Sequence, residues 1–154
     1  MGSSQSIQKC NFEDIQNVSS TNNILLINTM NTNLQNCLIQ NTISIDKELA
    51  IINSLLKNNN KNVTIYIYGK NSNDETILKK YNQLINLGFK NTFIYIGGMF
   101  EWLCLKEIYG SDEFPICNNT KSIITYSGKN TFENTLANDI LTYKPITNTN
   151  IIQL

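Results

Sequence analysis

The stretch "TIYIYGKNSNDETILKKY", residues 64–81, decides how this chain is read. It opens with an apolar run rich in β-branched and aromatic residues, the composition of a half-buried or buried strand. A polar turn follows, and a helical stripe begins at once, with Ile77, Leu78, Tyr81, Leu84 and Ile85 at core-facing spacing. In α/β proteins a strand that runs through a short turn into a helix puts that turn at the carboxyl edge of the sheet, where ligands bind. The turn, Gly69, Lys70, Asn71, Ser72, Asn73 and Asp74, is therefore the first candidate site.

The flanking elements repeat the alternation. "NILLIN", residues 23–28, is a compact buried strand, preceded by a short helix over "FEDIQNV", and "TISI", residues 42–45, is expected as a second strand. Asp46 is expected to cap a helix over "KELAIINSLLK", with Leu49, Ile52, Leu55 and Leu56 sharing its core face. The helix after the 69–74 turn ends at "LGF", where Gly88 suits a left-handed cap. "TFIYI" is another strand, and "GGMFEWLCLKEIYG" is a glycine turn followed by a helix that Gly110 terminates. Strands alternating with helices give an α/β domain with a mainly parallel sheet covered on both faces. Its expected span is 12–115, after a flexible arm over 1–11 and before an extension over 116–154, where "SIITYSG" reads as a strand and "TLANDILTYKP" as a short helix.

Composition removes several functions. The 154 residues suit one domain, and the formal net charge is zero, so no basic face is available for nucleic acid. There is no His, and all 12 basic residues are Lys. Histidine-dependent triads and His-containing zinc sites are excluded, and so is bidentate guanidinium clamping of an oxyanion. The abundance of Asn (26) and Ile (23) reads as the coding bias of an AT-rich genome. It also accounts for three glycosylation-pattern matches at Asn17, Asn62 and Asn118, which no apolar signal segment accompanies. The four Cys, at 10, 37, 104 and 117, have no metal-site spacing, and they read as reduced thiols in a cytosolic setting. No metal and no cofactor is expected.

The first residues, "MGSSQSIQKC", match M-G-x-x-x-[ST] with Ser6 in place, which makes Gly2 a lipidation candidate by N-myristoylation. One acyl chain holds a membrane only marginally, so a membrane surface is a conditional partner. Cys10 could take a second acyl group, but a free surface thiol is its favoured reading.

Residues 63–102 carry a resemblance. An apolar strand ends in Tyr68; a loop and helix end in Leu84, Gly88 and Phe89; a strand then leads to Gly97, Gly98 and Trp102, and "EFP" follows at 113–115. This order is similar to the second half of a rhodanese-like domain, and "ILLINTM" with "CLIQNTISI" resembles its first half more loosely. The resemblance implies a three-layer α/β/α fold. It also implies a site in the 69–74 loop, where active members carry a Cys whose thiolate holds a persulfide in a cradle of backbone N–H groups. Converging N–H dipoles lower a thiol's pKa and hold anions.

This chain departs from that pattern. Gly69 stands where the family's Cys is expected, Asn28 stands for its Asp, Met30 for its Arg and Leu38, approximately, for its His. Phosphatase relatives need Cys and Arg in the loop, and neither is present. Ser72 is the only hydroxyl nucleophile there and has no base to activate it, so it reads better as the start of a Ser72-x-x-Glu75 capping box. Cys37, near the family's His region, is kept as a remote catalytic candidate; Cys104 and Cys117 read as packing or incidental thiols. The expectation is a catalytically inactive binding or scaffolding module in the cytoplasm. Its unknown protein partner would meet the 69–74 edge, with Met99 and Phe100 nearby. The alternatives are a divergent sulfurtransferase using Cys37 and a structural protein of a large AT-rich virus.

Overall fold

The computed structural model describes residues 6–20 and 23–118. Its centre is a four-stranded sheet in the order β1 (Lys9–Cys10), β5 (Thr92–Tyr95), β4 (Thr64–Tyr68), β2 (Ile24–Asn28), and all pairings are parallel. Helices α1 (Phe12–Gln16), α2 (Ile45–Lys57), α3 (Thr76–Asn86) and α4 (Gly98–Tyr109) flank it. A second, two-stranded antiparallel sheet joins β3 (Leu38–Ile39) to β6 (Ile116–Cys117).

The strands carry apolar residues at consecutive positions because both faces are covered. Period-two alternation then sorts neighbours to opposite sides. Leu26, Tyr68 and Tyr95 join one core with Ile15 of α1 and with Met99, Trp102 and Leu103 of α4. Ile27, Ile67 and Ile94 join the other with Ile52 of α2 and with Ile77, Tyr81 and Leu84 of α3. The α/β fold with a mainly parallel central sheet is as the sequence implies.

Several boundaries differ. Lys9 and Cys10, read as part of a flexible arm, form the edge strand: Lys9 aligns with Ile94 and Cys10 with Tyr95, and Ile94 N–H donates to Gln8 O at 2.9 Å. A two-residue strand is too short to show alternation. The expected strand over 42–45 is not formed. Thr42 makes a single bridge to Leu26, Asn41 turns the chain at φ 66°, and Ile45 already starts α2, with Ser44 rather than Asp46 at the N-cap position. Pairing occurs earlier, at Leu38–Ile39, whose partner is Ile116–Cys117; the fold thus runs past 115 to Cys117. The segments 122–128 and 135–145 lie outside the described residues. In α2 only Ile52 is buried; Leu49, expected in the core, is 71% exposed. In α3 Leu78 is 39% exposed, because the buried row is Ile77, Tyr81 and Leu84.

The end of α3 follows the sequence closely. Gly88 adopts φ +97°, its N–H donates to Ile85 O at 2.9 Å, and Phe89 N–H donates to Leu84 O at 3.1 Å. This paired arrangement satisfies the last carbonyls of the helix and drops Phe89 into the core with no exposure. No helix among the described residues is long and apolar enough to cross a membrane.

Candidate functional site

The 69–74 turn leaves the end of β4 and is fastened to the start of α4. Met99 N–H donates to Gly69 O and Phe100 N–H to Lys70 O, each at 2.9 Å. Gly98 makes this contact possible. It adopts φ +62°, and a Cβ there would lie 2.6 Å from Gly69 O. Both the left-handed backbone and the close approach require glycine at that position. Met99, expected on the open edge, is fully buried, whereas Phe100 is half exposed. Trp102 is buried; its indole N–H donates to Pro115 O at 3.2 Å and its ring stacks edge-on against Phe114 at 4.9 Å. The "EFP" segment thereby closes over α4.

Inside the turn, two backbone N–H groups are taken by a side chain of the turn itself. The Asp74 carboxylate accepts from Lys70 N–H at 2.9 Å on one oxygen and from Thr76 N–H at 3.0 Å on the other. Thr76 Oγ1 also bonds that second oxygen and reaches Thr29 Oγ1 at 2.8 Å. A Cβ on Gly69 would lie 2.4 Å from Asp74 Oδ2 and 2.9 Å from Asp74 Cγ. The space that a side chain at 69 would enter is thus occupied by the Asp74 carboxylate.

This corrects the expected Ser72–Glu75 capping box. Helix α3 begins at Thr76, with Glu75 at the N-cap position making no side-chain cap bond. Asp74, two residues before Thr76, makes the capping bond, and a carboxylate there is also favoured by the helix dipole. Ser72 is exposed on a turn closed by Asp74 N–H donating to Asn71 O at 3.1 Å, while Asn73 N–H donates to Asn71 Oδ1 at 3.0 Å.

Burial alone would raise the Asp74 carboxyl pKa. The bonds from the Thr76 hydroxyl and the Lys70 and Thr76 amides, with the Lys70 charge, outweigh it and hold the carboxyl below its ordinary value. The folded pKa is depressed, so this contribution to stability is present above the ordinary carboxylate pKa of roughly 4 and is lost as pH falls through the folded value. Asp74→Ala should therefore flatten the loss of stability between neutral and acid pH, read as urea midpoints of variant and wild type across that range.

Asn28, which the resemblance sets in place of an Asp, is 3% exposed. Its amide pairs reciprocally with that of Gln35: Gln35 Nε2 donates to Asn28 Oδ1 at 2.7 Å and Asn28 Nδ2 donates to Gln35 Oε1 at 3.2 Å. Gln35 Nε2 also donates to Met30 O at 2.8 Å, and Met30 N–H to Asn28 Oδ1 at 3.1 Å. A neutral amide network therefore orders the segment after β2. Gln35→Ala leaves Asn28 Nδ2 buried without a partner and should cost about 1–3 kcal/mol in equilibrium urea unfolding. Met30 and Leu38, which the resemblance sets in place of an Arg and, approximately, a His, are both core residues. At the end of β4 the buried Tyr68 hydroxyl accepts from Ile39 N–H at 3.2 Å and meets Thr42 Oγ1 at 2.8 Å, tying the sheet to the 39–42 turn.

Cys37 is 5% exposed in the core beside Leu38, and burial pushes its thiol pKa up despite the nearby Lys106. It does not line the cleft above the turn, whose walls include Met30, Leu34, Lys70 and Asn73. Cys10, read as a surface thiol, is partly buried in the edge strand, and its pKa is pushed up to about 12, first by burial and then by the Asp14 carboxylate. Neither has the lowered pKa of a reactive thiol. Cys104 and Cys117 are both half-buried. Gly2 lies outside the described residues.

The roles of Asp74 and Gln35 were not apparent from the sequence. Asp74 carried a signal, since an Asp two residues before a helix start is a common local cap. Gln35 carried none, because its partner is known only once the turn is folded.

A family model described as "Rhodanese-like domain" matches residues 12–104. Among solved structures, the Alr3790 protein from Anabaena sp. is similar at 19% identity, covering 71% of this chain and 80% of that one, with TM-score 0.51. The solution structure of the rhodanese-like domain of Alr3790 is similar at 14% identity over 97% of this chain and 98% of that one, with TM-score 0.53. A single-domain sulfurtransferase from Saccharomyces cerevisiae is similar at 15% identity over 70% and 98%, with TM-score 0.49. No curated protein matches.

Proposed function

Because the chain belongs to the rhodanese-like domain family, we propose that it is a catalytically inactive member, working as a binding or scaffolding module in the cytoplasm. One observation carries this reading: the Asp74 carboxylate stands where a side chain at residue 69 would project, and it takes the N–H groups of Lys70 and Thr76. A sulfur carrier needs a thiolate at such a cradle. Here the nucleophile is absent, and the cradle holds a fixed negative charge that repels sulfur-bearing anions. Cys37 is a poor substitute, being buried with a raised pKa. On full-length native protein, a small uncharged alkylating reagent should modify Cys37 far more slowly than it modifies the free thiol of glutathione, read by peptide mass.

The partner surface in this reading is the loop edge: exposed Lys70, Ser72 and Asn73, with half-exposed Phe100, whose backbone N–H donates to Lys70 O. An exposed aromatic next to a lysine is a suitable anchor for a protein partner. N-myristoylation of Gly2 would bring the module to a membrane surface. The test is proximity labelling in the native cell with wild type and a Lys70→Glu/Phe100→Ser variant. Partners found with wild type should be lost from the variant; if every partner persists, another surface does the binding.

A further inference from the structure

We propose that the cleft beside the sheet's β1 edge holds an acyl chain carried on Gly2, so that the lipid has a seat in the fold as well as in a membrane. This rests on the reading that Gly2 is acylated. The cleft has a volume of about 440 Å³, and its apolar lining is Ile7, Ile77, Leu78, Ile94 and Ile96. Small-molecule sites span roughly 300–1,000 Å³. It lies between β5 and α3 beside β1, which is only two residues long. Ile7 and Leu78 line it while 41% and 39% exposed. Lys9 and residues 72–75 of the loop form its polar rim, and the Asp74 charge there is already bonded to backbone N–H groups.

The occupant is identified by where the chain enters the fold. Ile7 is itself part of the cleft wall. The next residue is pinned on both sides: Gln8 N–H donates to Tyr81 Oη at 3.2 Å, and Gln8 O accepts from Ile94 N–H at 2.9 Å. Gly2 is five residues before Ile7 and reaches at most about 17 Å from it when extended. The residues between, "SSQS", carry no apolar side chain. After Met1 is removed, the Gly2 amine attacks the carbonyl carbon of an acyl-coenzyme A thioester. The C–N bond forms, the C–S bond breaks, and coenzyme A leaves as the thiol with the proton from the amine. One such chain binds bilayers only marginally, so an apolar cleft within reach competes effectively for it.

The test uses the full chain co-expressed with an N-myristoyltransferase, with intact mass recorded first. Acylated wild type should stay largely in the supernatant with phosphatidylcholine vesicles. Acylated Leu78→Lys, with the cleft blocked by a charge, should sediment with them several-fold more. Acylation should also shift the methyl resonances of Ile7, Leu78 and Ile96. Equal sedimentation of the two acylated proteins, with unshifted methyls, overturns the cleft as the seat while leaving acylation standing. Absence of the acyl mass overturns the reading beneath it, and the proposal with it.

Discussion

Gly69→Cys alone is expected to leave the chain unable to carry sulfur, and Gly69→Cys combined with Asp74→Ala is expected to restore a reactive thiol. In the single variant the new Cβ meets Asp74 Oδ2 at 2.4 Å and Ile77 Cγ2 at 2.9 Å. Accommodating it means swinging the carboxylate out and giving up its bonds from the Lys70 and Thr76 amides. Overpacking and lost charge-assisted bonds each act at about 1–3 kcal/mol, so the single variant should be clearly less stable in urea. Its thiol would also sit beside a negative charge, which raises its pKa. Removing Asp74 as well takes away the carboxylate, leaves only Ile77 Cγ2 to shift aside, and frees the Lys70 and Thr76 N–H groups; donors free to turn to a nearby thiolate lower its pKa. With a low-molecular-weight persulfide, the thiolate of the double variant should take the terminal sulfur while the donor's thiolate leaves, seen as one added sulfur in the intact mass. The coupling is itself diagnostic: Gly69→Ala should cost markedly less in the Asp74→Ala background than in wild type. Equal costs would mean that Asp74 is not what fills the space.

Gly98→Ala should be among the most damaging single-methyl additions to the domain. The added Cβ would stand 2.6 Å from Gly69 O and 3.1 Å from Asn71 N, both backbone atoms that no rotamer change can move. The backbone at φ +62° adds a left-handed penalty of about 1–2 kcal/mol. Separating α4 from the turn to relieve the clash would break the bonds from Met99 and Phe100 to the loop carbonyls. A total of about 3–5 kcal/mol is expected by denaturant unfolding, from the backbone and overpacking contributions together. Gly97→Ala should be milder. It has φ −58°, so no left-handed penalty applies; the Glu101 carboxylate in its way can rotate aside, which leaves Glu101 Cβ at 2.7 Å as the remaining close contact.

The parts of the fold legible in the sequence are those whose cause is local. The strand at 64–68 has the composition of a covered strand. Gly88 and Phe89 stop α3 by a backbone geometry that only glycine adopts readily, and Gly98 is fixed by the same freedom. What was not legible depends on contacts distant along the chain. β1 and β6 have two residues each and exist because β5 and β3 offer them an edge. Leu49 and Leu78 have the spacing of core residues, but the sheet covers only part of each stripe, so both remain at the surface. At the site, the absence of Cys from the 69–74 turn is plain in the sequence. The residue that takes the turn's N–H groups is not: the choice between Ser72 and Asp74 as the cap depends on where α3 begins, and the turn sets that start one residue after Glu75.

The most direct test of an inactive cradle closed by Asp74 is the intact mass of the wild-type protein from its native cells, before and after treatment with a persulfide donor. The expected result is no added sulfur. Gain of one sulfur, retained through desalting and lost when Cys37 becomes Ser, would contradict the account and make the chain a sulfurtransferase with a displaced thiol.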